Sequence, residues 1–166
     1  MLDFALIVAA APALAVLVAL VFGTLTIHQW QRTRYLAAAA ELVHTIQTAE
    51  FTRGIALIVE LPEDVDPAEL IGNRELMAAL YTVSHTFESL GVLVYHRMLP
   101  LHLVDHLIGG YVRASWRRAR PLVLARRATL GAMFGEWFQW LAERLEQYPA
   151  PGKAEGAPLA FKNWRP

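Results

Sequence analysis

Residues 4–27 of the chain read FALIVAAAPALAVLVALVFGTLTI, and these 24 residues contain no charged side chain. As an α-helix rising about 1.5 Å per residue, a run of this length extends about 36 Å. The hydrocarbon core of a bilayer is about 30 Å thick, so such a helix crosses it with some tilt. Pro12 and Gly23 do not argue against a span, because both residue types are tolerated in transmembrane helices. The sequence therefore predicts a transmembrane anchor over residues 1–30.

A cleaved signal peptide and a buried core helix are the two other interpretations of this run. A signal peptide begins with basic residues and has an apolar region of about 7 to 15 residues. This chain begins Met1-Leu2-Asp3, and its apolar run is longer. A surface helix of a small domain carries an apolar stripe rather than apolar residues on all faces. An uncleaved anchor therefore fits the sequence better than either alternative.

The residues that flank the run predict its orientation. Asp3 precedes it, whereas Arg32 and Arg34 follow it, and arginines near the end of a span favour the cytoplasmic side. Trp30 suits the membrane interface, where aromatic side chains are enriched. We therefore expect a single-pass protein of the plasma (inner) membrane, with its N-terminus outside and its C-terminal domain in the cytoplasm. Trp30, Arg32 and Arg34 are predicted to contact lipid or a partner.

Composition limits what the rest of the chain can be. About 120 residues lie outside the anchor and the tail, which is enough for one ordinary domain. The absence of cysteine excludes disulfides, iron–sulfur clusters and thiolate zinc sites. The net charge is zero, but its distribution is uneven. From Glu41 to Glu88 there are nine acidic and two basic residues, whereas from Arg97 to Arg127 there are seven basic and one acidic. The two halves of the domain are electrostatically complementary.

Hydrophobic periodicity predicts helices through the first half of the domain. The helix that leaves the membrane is expected to continue to about residue 48, and a second helix to cover residues 50–60. A short turn of helix follows, with Asp66 as its cap. Asn73 is the predicted cap of the longest helix, at about 74–97. The core-facing residues of this helix recur at steps of three and four: Leu76, Leu80, Val83, Phe87, Leu90 and Val94.

The second half of the domain contains three helix-breaking positions. Pro100 begins a predicted helix that Gly109–Gly110 loosens or ends. Pro121 is expected to break or kink the arginine-rich helix that follows. The last helix is predicted at about 130–147. Its apolar residues on one side are Met133, Trp137, Trp140, Leu141 and Leu145.

The predicted fold class is therefore all-α, with a single N-terminal transmembrane helix continuing into a small irregular helical bundle. The bundle is expected to contain about four to six helices over residues 31–148. Residues 149–166 are rich in proline and glycine, and we expect them to form an extended C-terminal arm. Phe161 and Trp164 are the residues expected to anchor this arm on the domain or on a partner.

Several short motifs give the domain a resemblance to other proteins. They are FESLG at 87–91, GYVRASW at 110–116, Pro121 and Arg126. Over about 100 of its 166 residues, the chain resembles bacterial proteins with one N-terminal transmembrane helix followed by a helical domain of unknown function. The resemblance implies a helical domain and implies no activity.

A metal site is one candidate function of the domain. His102, Asp105 and His106 stand at i, i+3 and i+4 on one predicted helix, a spacing that can direct two imidazoles and a carboxylate at one ion. Further ligands would come from His85 and Glu88. A di-metal carboxylate bundle, however, needs two Glu-x-x-His motifs, a pair that this chain lacks. Ordinary surface or packed histidines are the simpler interpretation, so no metal and no cofactor is predicted.

An arginine stripe is the other candidate site. Arg113, Arg117, Arg120 and Arg127 fall near one helix face at steps of four, three and seven residues. Such a stripe binds anionic lipid, nucleic acid phosphates or an acidic partner, or pairs with the acidic half of its own domain. The charge complementarity of the two halves favours pairing with the acidic half, and anionic lipid is the second choice because the domain is expected to be tethered to a bilayer. Nucleic acid is not expected, because no recognised binding motif accompanies the stripe.

The sequence shows no catalytic arrangement. It contains no nucleophile elbow and no glycine-rich phosphate loop, so no enzyme is predicted. We expect a non-enzymatic, membrane-anchored interaction or scaffold module that works in the lipid bilayer with other membrane protein subunits or by self-association. A membrane-tethered metal enzyme and a sensor of anionic lipid surfaces are the alternatives.

Overall fold

A computed structural model describes residues 2–62, 66–150 and 156–165 of the chain. All regular secondary structure in these residues is helical, which confirms the all-α prediction. The helices are α1 Leu2–Ile46, α2 Ala49–Val59, α3 Pro67–Leu70, α4 Arg74–Tyr95, α5 Leu101–Leu130, α6 Glu136–Gln147 and α7 Ala157–Ala160.

The chain divides into two compact units, Met1–Ala37 and Ala38–Pro166. In the first unit the described residues form one stretch of α1. Its large apolar side chains that the structure describes are exposed: Val16, Val18, Leu20, Val21, Phe22, Leu25, Trp30 and Leu36. The hydroxyl of Thr24 donates to two carbonyl oxygens of the preceding turn, and that of Thr26 donates to a third. Within the described part of the chain, none of the helices combines the length and the apolarity that a membrane crossing requires.

The second unit is a bundle in which α4 packs against α2 and α6, while α5 packs against α6 and α2. A row of aromatic rings runs through its centre. Phe87 of α4 lies 5.7 Å from Phe51 of α2 and 4.9 Å from Phe138 of α6, between ring centroids. Phe138 in turn lies 5.1 Å from Trp116 of α5. Aromatic pairs at such distances contribute about 0.5–1.5 kcal/mol beyond their buried area, so this row joins α2, α4, α5 and α6.

The predicted capping residues and the core stripe of α4 are confirmed. Asp66 accepts a backbone N–H two residues further on at 2.9 Å. Asn73 accepts the N–H three residues further on at 3.1 Å. The stripe is buried from Leu76 to Leu90, and Val94 is half-buried. The first half of the bundle therefore follows its local sequence signals.

Helix α5 differs from the prediction, because neither Gly109–Gly110 nor Pro121 ends it. It is one helix of 30 residues with Pro121 inside it. Proline removes one N–H from the helical hydrogen bonds and crowds the preceding turn. Leu122 and Val123, directly after it, are buried in the core. Their packing keeps the chain helical at a position where the local sequence favours a break.

Gly109 is explained by packing and not by helix termination. It lies beside the side chains of Asp105 and Arg113, which form an ion pair along α5. A Cβ at residue 109 would overlap the Oδ1 atom of Asp105 and come within 3.1 Å of Nη1 of Arg113. The neighbouring Gly110 faces open space. Only the first glycine is therefore required by its surroundings.

The last long helix begins later than predicted. Gly131 and Gly135 have φ angles of 98° and 69°, a region that glycine enters without steric cost. The chain turns between them, and α6 begins at Glu136. Met133 lies in this turn and is 75% exposed, so its predicted place in the apolar stripe is wrong. Leu141 and Leu145 of α6 are fully buried, as expected.

The C-terminal arm is helical over part of its length. Ala150 is buried at its start, and residues 151–155 lie outside the described part of the chain. The short helix α7 and a turn follow. The composition predicts an extended arm, and this prediction is wrong for the residues of α7.

Substituting the two adjacent glycines of α5 tests the packing role of Gly109. Gly109→Ala should destabilise the bundle by about 1–3 kcal/mol, the usual cost of forcing volume into a packed site. Gly110→Ala is the matched control and should stabilise by up to about 1 kcal/mol, because alanine is the better helix former. Urea unfolding of the full chain in mild detergent, followed by tryptophan fluorescence, measures both. Equal effects of the two substitutions would contradict the packing role.

Candidate functional site

Three arginines of α5 line a cleft between α5 and α6. Arg113, Arg117 and Arg120 follow one another at steps of four and three residues, so they share a helix face. The cleft has a volume of about 430 Å³. Its other lining residues are Trp116 on α5 and Gln139, Ala142, Glu143, Glu146 and Gln147 on α6. Basic side chains on one wall therefore face acidic side chains on the other.

Arg113 has a structural role in the bundle, because its guanidinium is held by neighbouring groups. Its Nη1 atom lies 2.7 Å from Oδ1 of Asp105, and Nη2 donates to the carbonyl oxygen of Leu145 at 2.8 Å. Its Nε atom lies 3.7 Å from the carboxylate of Glu146. Asp105 is fully buried, and its Oδ2 atom accepts the backbone N–H of Ala150 at 2.6 Å. One ion pair thus joins α5 to the end of α6 and to the start of the C-terminal arm.

Arg117 and Arg120 are the available cations of the cleft. Both are exposed, and neither forms an ion pair or hydrogen bond with another residue that the structure describes. Trp116 directly precedes Arg117 in sequence and is half-buried. Tryptophan and arginine are enriched among the residues that dominate protein interfaces. Arg117, Arg120 and Trp116 are therefore the candidate binding residues of the cleft.

Arg127, the fourth arginine of the predicted stripe, is directed elsewhere. Its Nε atom donates to the carbonyl oxygen of Phe134 at 2.9 Å, and Nη2 donates to Oε1 of Gln139 at 3.0 Å. Arg126 beside it donates to the hydroxyl of Tyr81 at 2.6 Å and stacks over that ring. Arg127 therefore holds the turn before α6, and the stripe supplies three arginines to the cleft instead of four.

The predicted pairing of the stripe with the acidic half of the domain is wrong for Arg113. Its carboxylate partners are Asp105 and Glu146, and both lie outside residues 41–88. In the acidic half, Arg53 pairs with Glu75. The reason is geometric, since Asp105 lies two turns before Arg113 on α5 itself, and α6, which packs against α5, supplies Glu146.

The candidate metal ligands are not brought together. Both carboxylate oxygens of Asp105 are engaged by Arg113 and Ala150, whereas the side chains of His102 and His106 are exposed. Among the residues that the structure describes, no group of three or more histidine, aspartate or glutamate side chains is arranged to hold an ion.

Glu88, a further candidate ligand with the exposed His85, lies at the start of α6 instead. Its carboxylate is hydrogen-bonded to the backbone N–H groups of Gly135 and Glu136, where the helix dipole favours a negative charge. Burial nevertheless raises the pKa of Glu88 above its usual value, and the neighbouring charge of Glu136 adds to this effect. The geometry is that of a helix cap supplied from another helix.

An aromatic cluster at the end of α4 is not predictable as a unit from the sequence. The ring centroid of Tyr95 lies 5.0 Å from that of Trp137 and 6.1 Å from that of Trp140, and the two tryptophans are 5.7 Å apart. Both tryptophans, predicted as core residues, are half-buried, and Tyr95 is 57% exposed. The i, i+3 spacing of the tryptophans is visible in the sequence, but their contact with α4 is not.

The predicted lipid or partner contacts at the two ends of the chain are partly described. Trp30 is exposed, and the side chains of Arg32 and Arg34 lie outside the described part. Phe161 meets His106 edge-on with centroids 6.4 Å apart, and it remains 46% exposed. Trp164 is 72% exposed. The arm therefore presents most of its aromatic surface to solvent.

Comparison with protein families places the chain. The family model of the domain of unknown function DUF4760 matches residues 7–145. The chain belongs to this family. The DUF4760 match includes α2 to α5 and the α6 residues up to Leu145, so it covers most of the cleft. It also agrees with the resemblance of the short motifs to a helical domain of unknown function. Searches of curated proteins and of solved structures give no match.

Removing the charge of Asp105 tests the central ion pair of this DUF4760 domain. Asp105→Asn should cost about 3–5 kcal/mol, because the guanidinium of Arg113 then loses its buried counter-charge. Glu146→Gln is the matched control and should cost less than about 1 kcal/mol, since exposed ion pairs contribute little. Urea unfolding of the full chain in mild detergent measures both. Similar losses in the two variants would show that the ion pair does not organise the bundle.

Proposed function

We propose that this DUF4760 protein is a non-enzymatic accessory subunit, anchored in the plasma (inner) membrane by residues 4–27. In this proposal its cytoplasmic bundle docks an acidic segment of another membrane protein subunit in the arginine-lined cleft. The observation that carries the proposal is the exposure of large apolar side chains around the described part of α1, because such a surface is more stable in lipid than in water.

The directions of the exposed side chains support the anchor. Val16, Val21 and Phe22 point about 100–140° apart around the helix axis, at about 100° per residue. They are 60%, 47% and 66% exposed. A helix that is apolar all round belongs in a core or in a membrane. Burying each such side chain is worth about 1.5–3 kcal/mol, which favours insertion into lipid.

The polar groups of this segment are compatible with a bilayer. In hydrocarbon every polar group must be satisfied within the protein. Thr24 and Thr26 meet this condition, because their hydroxyls donate to carbonyl oxygens of the same helix at 2.7–3.0 Å. The side chains of residues 1–14 lie outside the described part, so for them the proposal rests on the uncharged sequence. Arg32 and Arg34 after the run place the bundle on the cytoplasmic side in this proposal.

The chemistry of the cleft favours an acidic segment of a protein as the ligand. Arg117 and Arg120 offer planar guanidinium groups that bind carboxylates with two parallel hydrogen bonds. Glu143 and Glu146 on the opposite wall repel a continuous anionic polymer such as nucleic acid. A segment that carries an acidic residue and an apolar or basic neighbour satisfies both walls, and Trp116 provides the apolar contact.

Alkaline extraction tests the anchor. The full chain should remain in the membrane pellet after carbonate washing. Val16→Lys combined with Val18→Lys should move it to the supernatant, because each lysine at the centre of a span costs about 2.5–3.5 kcal/mol. Leu124→Lys, at an exposed apolar position of α5, is the matched control and should stay in the pellet. Recovery of the intact unmodified chain in the supernatant would refute the anchor.

Charge reversal tests the cleft. The full chain, extracted in mild detergent, should elute with a stoichiometric partner subunit. Arg117→Glu and Arg120→Glu should each weaken this assembly at least tenfold, since a hydrogen bond to a charged group is worth about 1.5–3 kcal/mol. Arg74→Glu, at an exposed site on α4, is the control and should leave it intact. A monomeric unmodified chain, or an assembly that survives both reversals, would contradict docking in the cleft.

A further inference from the structure

The end of the C-terminal arm combines exposed apolar side chains with charges of one sign. Leu159, Phe161 and Trp164 are 66%, 46% and 72% exposed. The charged residues in 156–165 are Lys162 and Arg165, and this stretch contains no acidic side chain. Aromatic and basic residues alternating over a few positions are typical of segments that bind the interface of an anionic bilayer.

The bundle itself does not bury these side chains. The arm leaves it at Ala150, whose N–H is held by Asp105. Further along, Phe161 makes an edge contact with the ring of His106. In the described residues this contact leaves about half of Phe161 and most of Trp164 accessible. The apolar surface of the arm is therefore available to contact a membrane or another molecule.

We propose that residues 156–165 form a second membrane contact, in which Leu159, Phe161 and Trp164 enter the interfacial region of an anionic leaflet. Lys162 and Arg165 bind the phosphate groups of its lipids. The inference rests on the proposed anchor, which keeps the arm close to a bilayer. Charge complementarity favours an anionic leaflet, because both charged residues of the segment are cations. A protein surface of mixed charge would also present basic side chains, and the segment has no acidic side chain to pair with them.

The absence of cysteine from the chain makes a site-specific test possible. Asn163 is exposed and lies between Lys162 and Trp164. In the full chain, Asn163→Cys carries an environment-sensitive fluorophore. The protein is reconstituted in nanodiscs of phosphatidylcholine, either alone or mixed with phosphatidylglycerol. We expect a blue-shifted emission and quenching by spin-labelled lipid in the anionic discs only. Thr129→Cys, exposed at the end of α5, is the matched label site and should report water in both.

Substitutions in the arm separate its apolar and charged contributions. Phe161→Ala combined with Trp164→Ala should abolish the shift. Lys162→Glu combined with Arg165→Glu should reduce quenching several-fold in anionic discs, whereas Arg74→Glu should not change it. A label at residue 163 that stays solvent-like in anionic discs would overturn the arm contact. An equal shift in both kinds of disc that survives the charge reversal would also overturn it, and would indicate burial against protein.

The two proposals fail separately. If the protein resists carbonate extraction but the label at residue 163 reports water, the anchor stands and the arm contact is wrong. If the protein is extracted by carbonate, the anchor is wrong, and the arm contact loses the tether on which it rests.

Discussion

The buried ion pair between Asp105 and Arg113 is the interaction on which the arrangement of the bundle depends. A charge that is fully removed from water is tolerated only when it is paired and hydrogen-bonded. Here the two side chains supply the partners for groups that would otherwise be unsatisfied, the carbonyl oxygen of Leu145 and the N–H of Ala150. The pair therefore holds the end of α6 against α5 and fixes the start of the arm. It also occupies one arginine of the cleft, so the proposed docking depends on Arg117 and Arg120.

The motifs that carry the family resemblance are packing residues, which explains why they indicate a fold and no activity. In FESLG, Phe87 and Leu90 are buried in the core. A Cβ at Gly91 would lie 2.5 Å from the carbonyl oxygen of Trp137, so this glycine permits α4 and α6 to approach. In GYVRASW, Arg113 forms the central ion pair and Trp116 joins the aromatic row. These short motifs lie within the matched residues 7–145, and they hold the helices of the bundle together.

The parts of the structure that the sequence predicts are those determined by neighbouring residues. Asn73 and the apolar stripe of α4 are local signals, and the helix follows them. Gly109 and Pro121 are also local signals, yet α5 continues through both. The side chains of Asp105 and Arg113 leave no room for a Cβ at residue 109, and the buried residues after Pro121 keep the chain helical there. The same limit applies to the site. The spacing of Arg113, Arg117 and Arg120 is visible in the sequence, but the acidic wall that faces them belongs to α6, and only the packing of the two helices reveals it.

The proposed membrane tether would change how strong the contacts of the bundle need to be. A module held at a bilayer meets its partners and the lipid surface at a high effective concentration, so that weak contacts become sufficient. In the cleft, Glu143 and Glu146 face the two available arginines. These glutamates would lower the affinity for any anionic ligand and repel ligands without a matching charge pattern, so the cleft would gain selectivity and lose affinity. The proposed tether would also account for an arm with only a few apolar side chains, which would bind a bilayer poorly on its own. Under the proposed function, the anchor would supply the affinity and the cleft would supply the choice of partner.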